Sequence, residues 1–285
     1  MSKRTVNQLV QSYEVTEGAG VTVHRSIGTP ALRNLDPFLM LDNFSTDNPD
    51  DYIAGFPDHP HRGFNTFTYM IDGHMLHNDS MGNTGNLDPG GAQWMCAGSG
   101  VIHSEMPRQT DGRMRGFQLW INLPADKKMS DPAYQEIRPQ AVPEVEDENG
   151  LIRVLAGQYN DIQGPAEDPN TQVMYIDVTL KPGARFKHTL PESHAAFICI
   201  FEGEAQVADT KLPHHHIAVL SNGDELEISA GSEGARFILV AGKPIGEPIV
   251  QYGPFVMNTR AEIEQAMRDY HSKKLVRRKA EMKNI

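Results

Sequence analysis

The chain has little cysteine, no long apolar run and fewer cations than anions, and each shortage narrows what it can be. Cys96 and Cys199 are the only cysteines. Both lie in apolar runs of strand character and read as small core residues of a reducing compartment rather than a disulfide pair. No stretch approaches the roughly 18 consecutive apolar residues of a membrane-spanning helix, so no membrane partner is expected. The opening residues Met1 to Gln8 carry Lys3 and Arg4 with no apolar segment behind them, which does not read as a secretory leader; the expected localisation is cytoplasmic. Lys and Arg number 26 against 37 Asp and Glu, for a net charge of -11. A general phosphate-binding surface is not expected, and nucleic acid is not an expected partner.

What the chain does have is strand signal. Runs such as Phe64 to Ile71, Gly116 to Leu123, Val173 to Leu180 and Phe197 to Phe201 are punctuated by Gly, Pro, Asn and Asp. Twenty-five glycines and 19 prolines can supply the turns. At 285 residues the chain is long enough for two domains. The pattern predicts an all-β protein, a barrel or a sandwich. Ala125 to Gly150 is polar, contains Pro132, Pro139 and Pro143, and ends in an acidic run from Glu144, which places a boundary there. The expected division is 1–135 as an N-terminal barrel, 136–150 as a linker, 151–258 as a C-terminal barrel and 259–285 as a helix with a basic tail.

Two ligand pairs stand out, His59-Pro60-His61 and His103-Ser104-Glu105. On an extended strand, residues i and i+2 share a face about 6.5 to 7 Å apart, so each pair can aim two donors at one point. Two such strands facing each other would supply three imidazoles and a carboxylate, a set that binds divalent metals and leaves positions open in an octahedral arrangement. An ungapped comparison of the halves sets Gly73 on Gly203 and Gly90 on Gly223. It puts His59 on Thr189, His61 on Pro191, Asn65 on Ala195, His103 on Arg236 and Glu105 on Ile238. The second barrel is therefore expected to lack the metal ligands.

The segments His59-Pro60-His61-Arg62-Gly63-Phe64, Gly100 to Pro107, Gly116 to Pro124, His77-Asn78-Asp79-Ser80, Gln93-Trp94-Met95 and Tyr252 to Thr259 resemble the pirin family of the cupin superfamily. The resemblance implies a bicupin fold, two tandem double-stranded β-helix barrels with a C-terminal α-helix, and one mononuclear centre in the first barrel. Carried over residue by residue, its ligands are His59, His61, His103 and Glu105. The implied cofactor is one divalent ion, Fe(2+); the ligand types alone leave Ni, Cu, Mn, Co and Zn open. The implied activity is quercetin 2,3-dioxygenase, an oxidoreductase with an aromatic small-molecule substrate and dioxygen as partners. The alternative is an iron-dependent, redox-responsive regulator acting through a protein partner. Two departures from many relatives are Asn65 and Gly91, where those proteins carry acidic residues.

A flavonol suits such a centre because its 3-hydroxyl and 4-carbonyl can reach one metal, which acidifies the hydroxyl. Cleavage of the heterocycle with loss of carbon monoxide is what the resemblance adds. Glu105 is the candidate base for the hydroxyl proton, or else a fixed ligand. Trp94, Met95, Phe64 and Met106 are close in sequence to the ligands, as pocket wall or as barrel core. His74 and His77, after the Gly73 turn, are expected at the surface or in hydrogen bonds, with one of them lining the pocket mouth as the alternative. His214-His215-His216 reads as an exposed turn, since three successive strand residues cannot share a face. His188 and His194 fall near the metal-less position of the second barrel. Thr259 and Glu262 form a capping-box signature, followed by Ile263, Ala266, Met267 and Tyr270 at helical spacing. Lys273, Lys274, Arg277, Arg278, Lys279 and Lys283 then read as a solvated basic end.

Overall fold

The computed structural model describes residues 2–285. It is built mostly of strands, with one α-helix among the described residues, α1 at Arg260–His271. Two compact units form, and neither is contiguous in sequence. One, here called the site unit, comprises Glu14–Ile27, Phe38–Ala141 and Ile245–Ile285; the other comprises the N-terminus through Tyr13, Gly28–Pro37 and Val142–Pro244.

In the site unit, seven strands carry the functional argument: β1 Phe56–His61, β2 Phe64–Asp72, β3 Met75–Asp79, β4 Ala92–Cys96, β5 Val101–Pro107, β6 Met114–Asn122 and β7 Ala133–Ile137. A four-stranded sheet runs β1-β5-β3 and then Thr84–Leu87. The larger sheet places β6, β2, β4 and β7 side by side, and Glu281–Asn284 closes its end in parallel with β7. On β2, Phe64, Thr66 and Thr68 share one face by strand parity. The register extends that face to Trp120 and Gln118 on β6 and to Met95 and Gln93 on β4. Asn65 and Phe67 take the opposite face, where Phe67 packs against Trp94 at 5.4 Å between centroids.

The other unit is a nine-stranded sheet around one large apolar cluster that includes Val154, Ile176, Phe186, Ile198, Phe237 and Leu239. Val6–Gln11 pairs there with His216–Leu220. Arg4 is anchored in the same unit by bonds to the carbonyls of Pro191, His194 and Ser221. The N-terminal strand thus belongs with the C-terminal half, whereas residues 245–285 fold onto the site unit. The crossing after β7 falls between Ala141 and Val142. The acidic run is a hairpin rather than a loose linker, because Glu144–Glu146 pairs with Gly150–Ala156.

The helix begins as its sequence signals. The side chain of Thr259 accepts from the Glu262 amide while Glu262 bonds back to the Thr259 amide, a complete capping box. Ile263 and Ala266 are buried, but Tyr270 is 38% exposed, so the apolar stripe is narrower than its spacing suggests. The basic side chains expected at a solvated end are exposed, and the segment is in addition tied down. Arg277 pairs with Asp269, Arg278 pairs with Asp131, and residues 281–284 form the strand beside β7. Parallel pairing satisfies their backbone groups, which a free tail would leave to water.

Candidate metal centre

Strands β1 and β5 run antiparallel with His103 opposite His59, and a register shift follows between His103 and Glu105. On its other edge β5 pairs with β3, which sets Glu105 opposite His77. His59, His61 and His103 each offer one nitrogen within 4.8 Å of the others, and His77, His103 and Glu105 form an overlapping group on the same criterion. Ring centroids are 4.3 Å apart for His59 and His103, 4.7 Å for His59 and His61, and 4.9 Å for His61 and His103.

The protonation chemistry fits a cation. His59 Nδ1 lies 2.9 Å from the Pro57 carbonyl, which can only accept, so a neutral ring carries its proton there and leaves Nε2 as a lone pair. His61 Nδ1 and His103 Nε2 are buried with no hydrogen-bond partner. Burial holds all three imidazoles below the usual histidine range, His61 and His103 well below it. Neutral imidazoles are the form that binds metals. Buried nitrogens without partners are costly unless something accepts their lone pairs. Glu105 is buried and its carboxyl is pushed up to about 7 by desolvation, against a hydrogen bond from Thr68 that lowers it. The Thr68 hydroxyl is 3.3 Å from Glu105 Oε1 and 2.5 Å from Gln118 Oε1, and Gln118 Nε2 is 3.5 Å from Glu105 Oε2.

Several side chains stand elsewhere than the sequence suggested. Phe64 does wall the site, 5.1 Å from His61, but its companion is Trp120, 5.2 Å from His61 and 4.2 Å from Phe64. Trp94 is on the other face with Phe67. Met106 leans toward Gly55, and strand parity puts it opposite in face to Glu105. Asn65 is buried on the face away from Thr66 and Thr68, so an acidic residue there would not enter this site directly. Gly91 sits in the turn before β4, its amide bonded to the Asp88 carbonyl. His74 is exposed and paired with Asp88, whereas His77 is fully buried 3.2 Å from His103. Burial lowers His77 to about 4. No ligand spacing marks His77; only the β3 to β5 register brings it in.

The turn after His61 is held from three directions. Gly63 has φ +89, and a Cβ there would collide with the Val256 carbonyl. Lys128, 1% exposed, donates to the Gly63 carbonyl at 2.8 Å, to Asn122 Oδ1 at 2.7 Å and to the Val256 carbonyl at 3.0 Å. Burial lowers its amine to about 8. Arg62, also buried, reaches the Ser99 carbonyl and Asp269 of α1.

Both metal-capable groups among the described residues belong to the site unit. In the other unit, Arg185–Thr189 pairs with the first half of Glu225–Gly242, the counterpart of β1 against β5. Arg236 and Ile238 lie in the second half, against Met174–Leu180. The counterparts of His103 and Glu105 are therefore near Leu226, not at Arg236 and Ile238, and the ungapped comparison is corrected by the strand pairing. His188, opposite Leu226, packs against Tyr159 at 5.0 Å. His214 and His215 are in an exposed turn, with His216 opening the next strand.

Comparison with known proteins agrees with this architecture. Residues 20–121 match the pirin family and residues 175–276 match the pirin C-terminal cupin domain. The chain belongs to the pirin family. A Pseudomonas aeruginosa protein whose name assigns it provisionally to the quercetin 2,3-dioxygenases is 49% identical over 275 residues, covering 94% of this chain and 96% of that one. Human pirin is 40% identical over 279 residues, covering 96% and 94%. A crystal structure of quercetin 2,3-dioxygenase from Acinetobacter baumannii superposes with a TM-score of 0.89 at 34% identity, covering 96% of this chain and 99% of that one. The fold is thus a bicupin. A pirin from Escherichia coli solved with nickel(II) shares that fold, with a TM-score of 0.65 at 18% identity over 83% of this chain and 98% of its own.

Proposed function

We propose that this pirin is a metal-dependent dioxygenase of the quercetin 2,3-dioxygenase type, holding one divalent ion, iron(II), on His59, His61, His103 and Glu105. The observation that carries the reading is that His59, His61 and His103 each bring one nitrogen within 4.8 Å of the others while His61 and His103 keep a buried, partnerless nitrogen. The Glu105 carboxyl, pushed up to about 7, groups with His103 and His77 rather than with His59 and His61, and supports a fourth ligand through His103. When bound, the ion supplies Lewis acidity toward a chelating hydroxyl and carbonyl. A flavonol presents that pair on neighbouring carbons. The Glu105 carboxylate receives the proton of the 3-hydroxyl, and Thr68 and Gln118 hold the carboxyl in place while it does so. Phe64 and Trp120 exclude water on the His61 side and offer the faces against which an aromatic ring packs. Names among the relatives support the substrate class. The alternative, a redox-responsive regulator in the cytoplasm acting through a protein partner, is supported by relatives named pirin without a reaction.

The test is anaerobic loading with iron(II), addition of quercetin and then of dioxygen. A shift of the flavonol absorption before oxygen, followed by consumption of one dioxygen and release of one carbon monoxide per flavonol, is the expected result. Iron-replete protein that releases no carbon monoxide contradicts the enzymatic reading.

A further inference from the structure

We infer that His77 is a positioning residue that fixes which nitrogen of His103 is free to bind the cation, a reading that rests on the metal centre proposed above. The two Nδ1 atoms face each other at 3.2 Å inside the protein, and neither residue is measurably exposed. Two ring nitrogens at that distance share one proton: one donates and the other accepts. The far nitrogen of His103, Nε2, is the one that is buried and partnerless. For it to offer a lone pair, His103 must carry its proton on Nδ1 and donate it to His77 Nδ1. With the roles reversed, a neutral His103 would be protonated on Nε2 and closed to a cation.

The same bond assigns the His77 tautomer. Its Nδ1 accepts, so its proton is on Nε2, a buried atom without a hydrogen-bond partner. The ring also packs edge to face with Tyr134, at 5.0 Å between centroids. Backbone pairing supplies the rigidity, because β3 and β5 are registered residue for residue from His103 opposite Asp79 to Pro107 opposite Met75. His77 thus stands to His103 as an outer-shell acceptor stands to a metal-bound imidazole elsewhere, where such partners set ligand orientation and basicity. A direct ligand role for His77 is a different arrangement, and the two are separable by experiment.

Zinc(II) is the probe, since it permits NMR and needs no turnover. In zinc-loaded wild type with 15N-labelled histidine, the account expects His103 protonated on Nδ1 with a coupling across to His77 Nδ1. His77→Phe removes the acceptor and keeps a ring; zinc affinity by chelator competition should fall about 10 to 100-fold. His77→Asn, whose side-chain oxygen can stand near the Nδ1 position, should restore affinity to within about threefold. X-ray absorption should show the same nitrogen count at zinc in wild type and His77→Asn.

A His103 proton found on Nε2 in the zinc-loaded wild type overturns the inference, and that measurement needs no variant to fold. So does undiminished affinity in folded His77→Phe, or loss of one zinc-bound nitrogen in His77→Asn, which would make His77 a ligand. Wild type that takes up no zinc removes this inference together with the metal centre. Zinc binding with the expected tautomer, but no flavonol cleavage in iron-loaded protein, removes only the enzymatic reading.

Discussion

Arg62 and Asp269 are 207 residues apart in sequence and form a buried ion pair of 2.8 Å. The pair fastens α1 to the residue immediately after the proposed ligand His61. Asp269 also receives Arg277 and Gln265, so one carboxylate gathers three donors. Removing it leaves the Arg62 guanidinium buried and uncompensated. Asp269→Ala should lower stability by about 3 to 5 kcal/mol, the range for breaking a buried pair on one side. Chemical denaturation checks this, and metal retention should drop in parallel because the His61 turn loosens.

Gly63 gives a second test of the same turn. Its φ of +89 and its approach to the Val256 carbonyl leave no room for a side chain. Gly63→Ala should cost about 2 kcal/mol or more from backbone strain and displacement together. Gly82→Ala, at a positive φ with open space around the added Cβ, should cost about 1 kcal/mol. Equal losses in the two variants, read by thermal unfolding, would contradict the packing described at Gly63.

The pH response of the metal-free protein separates Glu105 from the imidazoles. Between 4.5 and about 7 the native Glu105 keeps a proton that the unfolded chain has lost. Its contribution to stability is therefore largest below 4.5 and is lost as pH rises through about 7, on the order of 3 kcal/mol in all. His59, His61, His77 and His103 are held low by burial and act with the opposite sign as pH falls below 6.5. The informative quantity is the difference between wild type and Glu105→Gln across pH 4.5 to 7. A flat difference would contradict a buried, protonated Glu105. Metal uptake must displace that proton, so affinity should weaken as pH falls below about 7.

Trp120 should matter for substrate more than for metal. It touches Phe64 and His61 but offers no ligand atom. Trp120→Ala should raise the flavonol KM about tenfold, corresponding to an aromatic contact of about 1 to 1.5 kcal/mol, with zinc affinity changed less than about threefold. Steady-state kinetics beside chelator competition will read both.

Much of this was legible in the residues, and the divide follows from what period two can report. His59 with His61 and His103 with Glu105 are each fixed by spacing on a single strand. Thr259 with Glu262 is likewise local, and its capping box forms as the sequence signals. What needed the fold was cross-strand register. Trp94 was closer in sequence to a site motif than Trp120 was to a ligand, but pairing with Phe67 turns Trp94 to the other face. His77 lies in a segment that resembles the family but has no ligand spacing on its own strand. Lys128 looks like an ordinary surface lysine until three acceptors from separate segments surround it. The exchange of termini between units rests on pairings such as Val6 with Leu220, which no local pattern encodes.

The central claim is that four side chains of the site unit hold one cation. Elemental analysis of the protein purified without added metal, beside His103→Ala and Glu105→Gln purified alike, tests it most directly. The account predicts close to one equivalent of a single divalent metal in wild type, essentially none in His103→Ala and a reduced share in Glu105→Gln, with all three folded by circular dichroism. Full metal content in folded His103→Ala would contradict it.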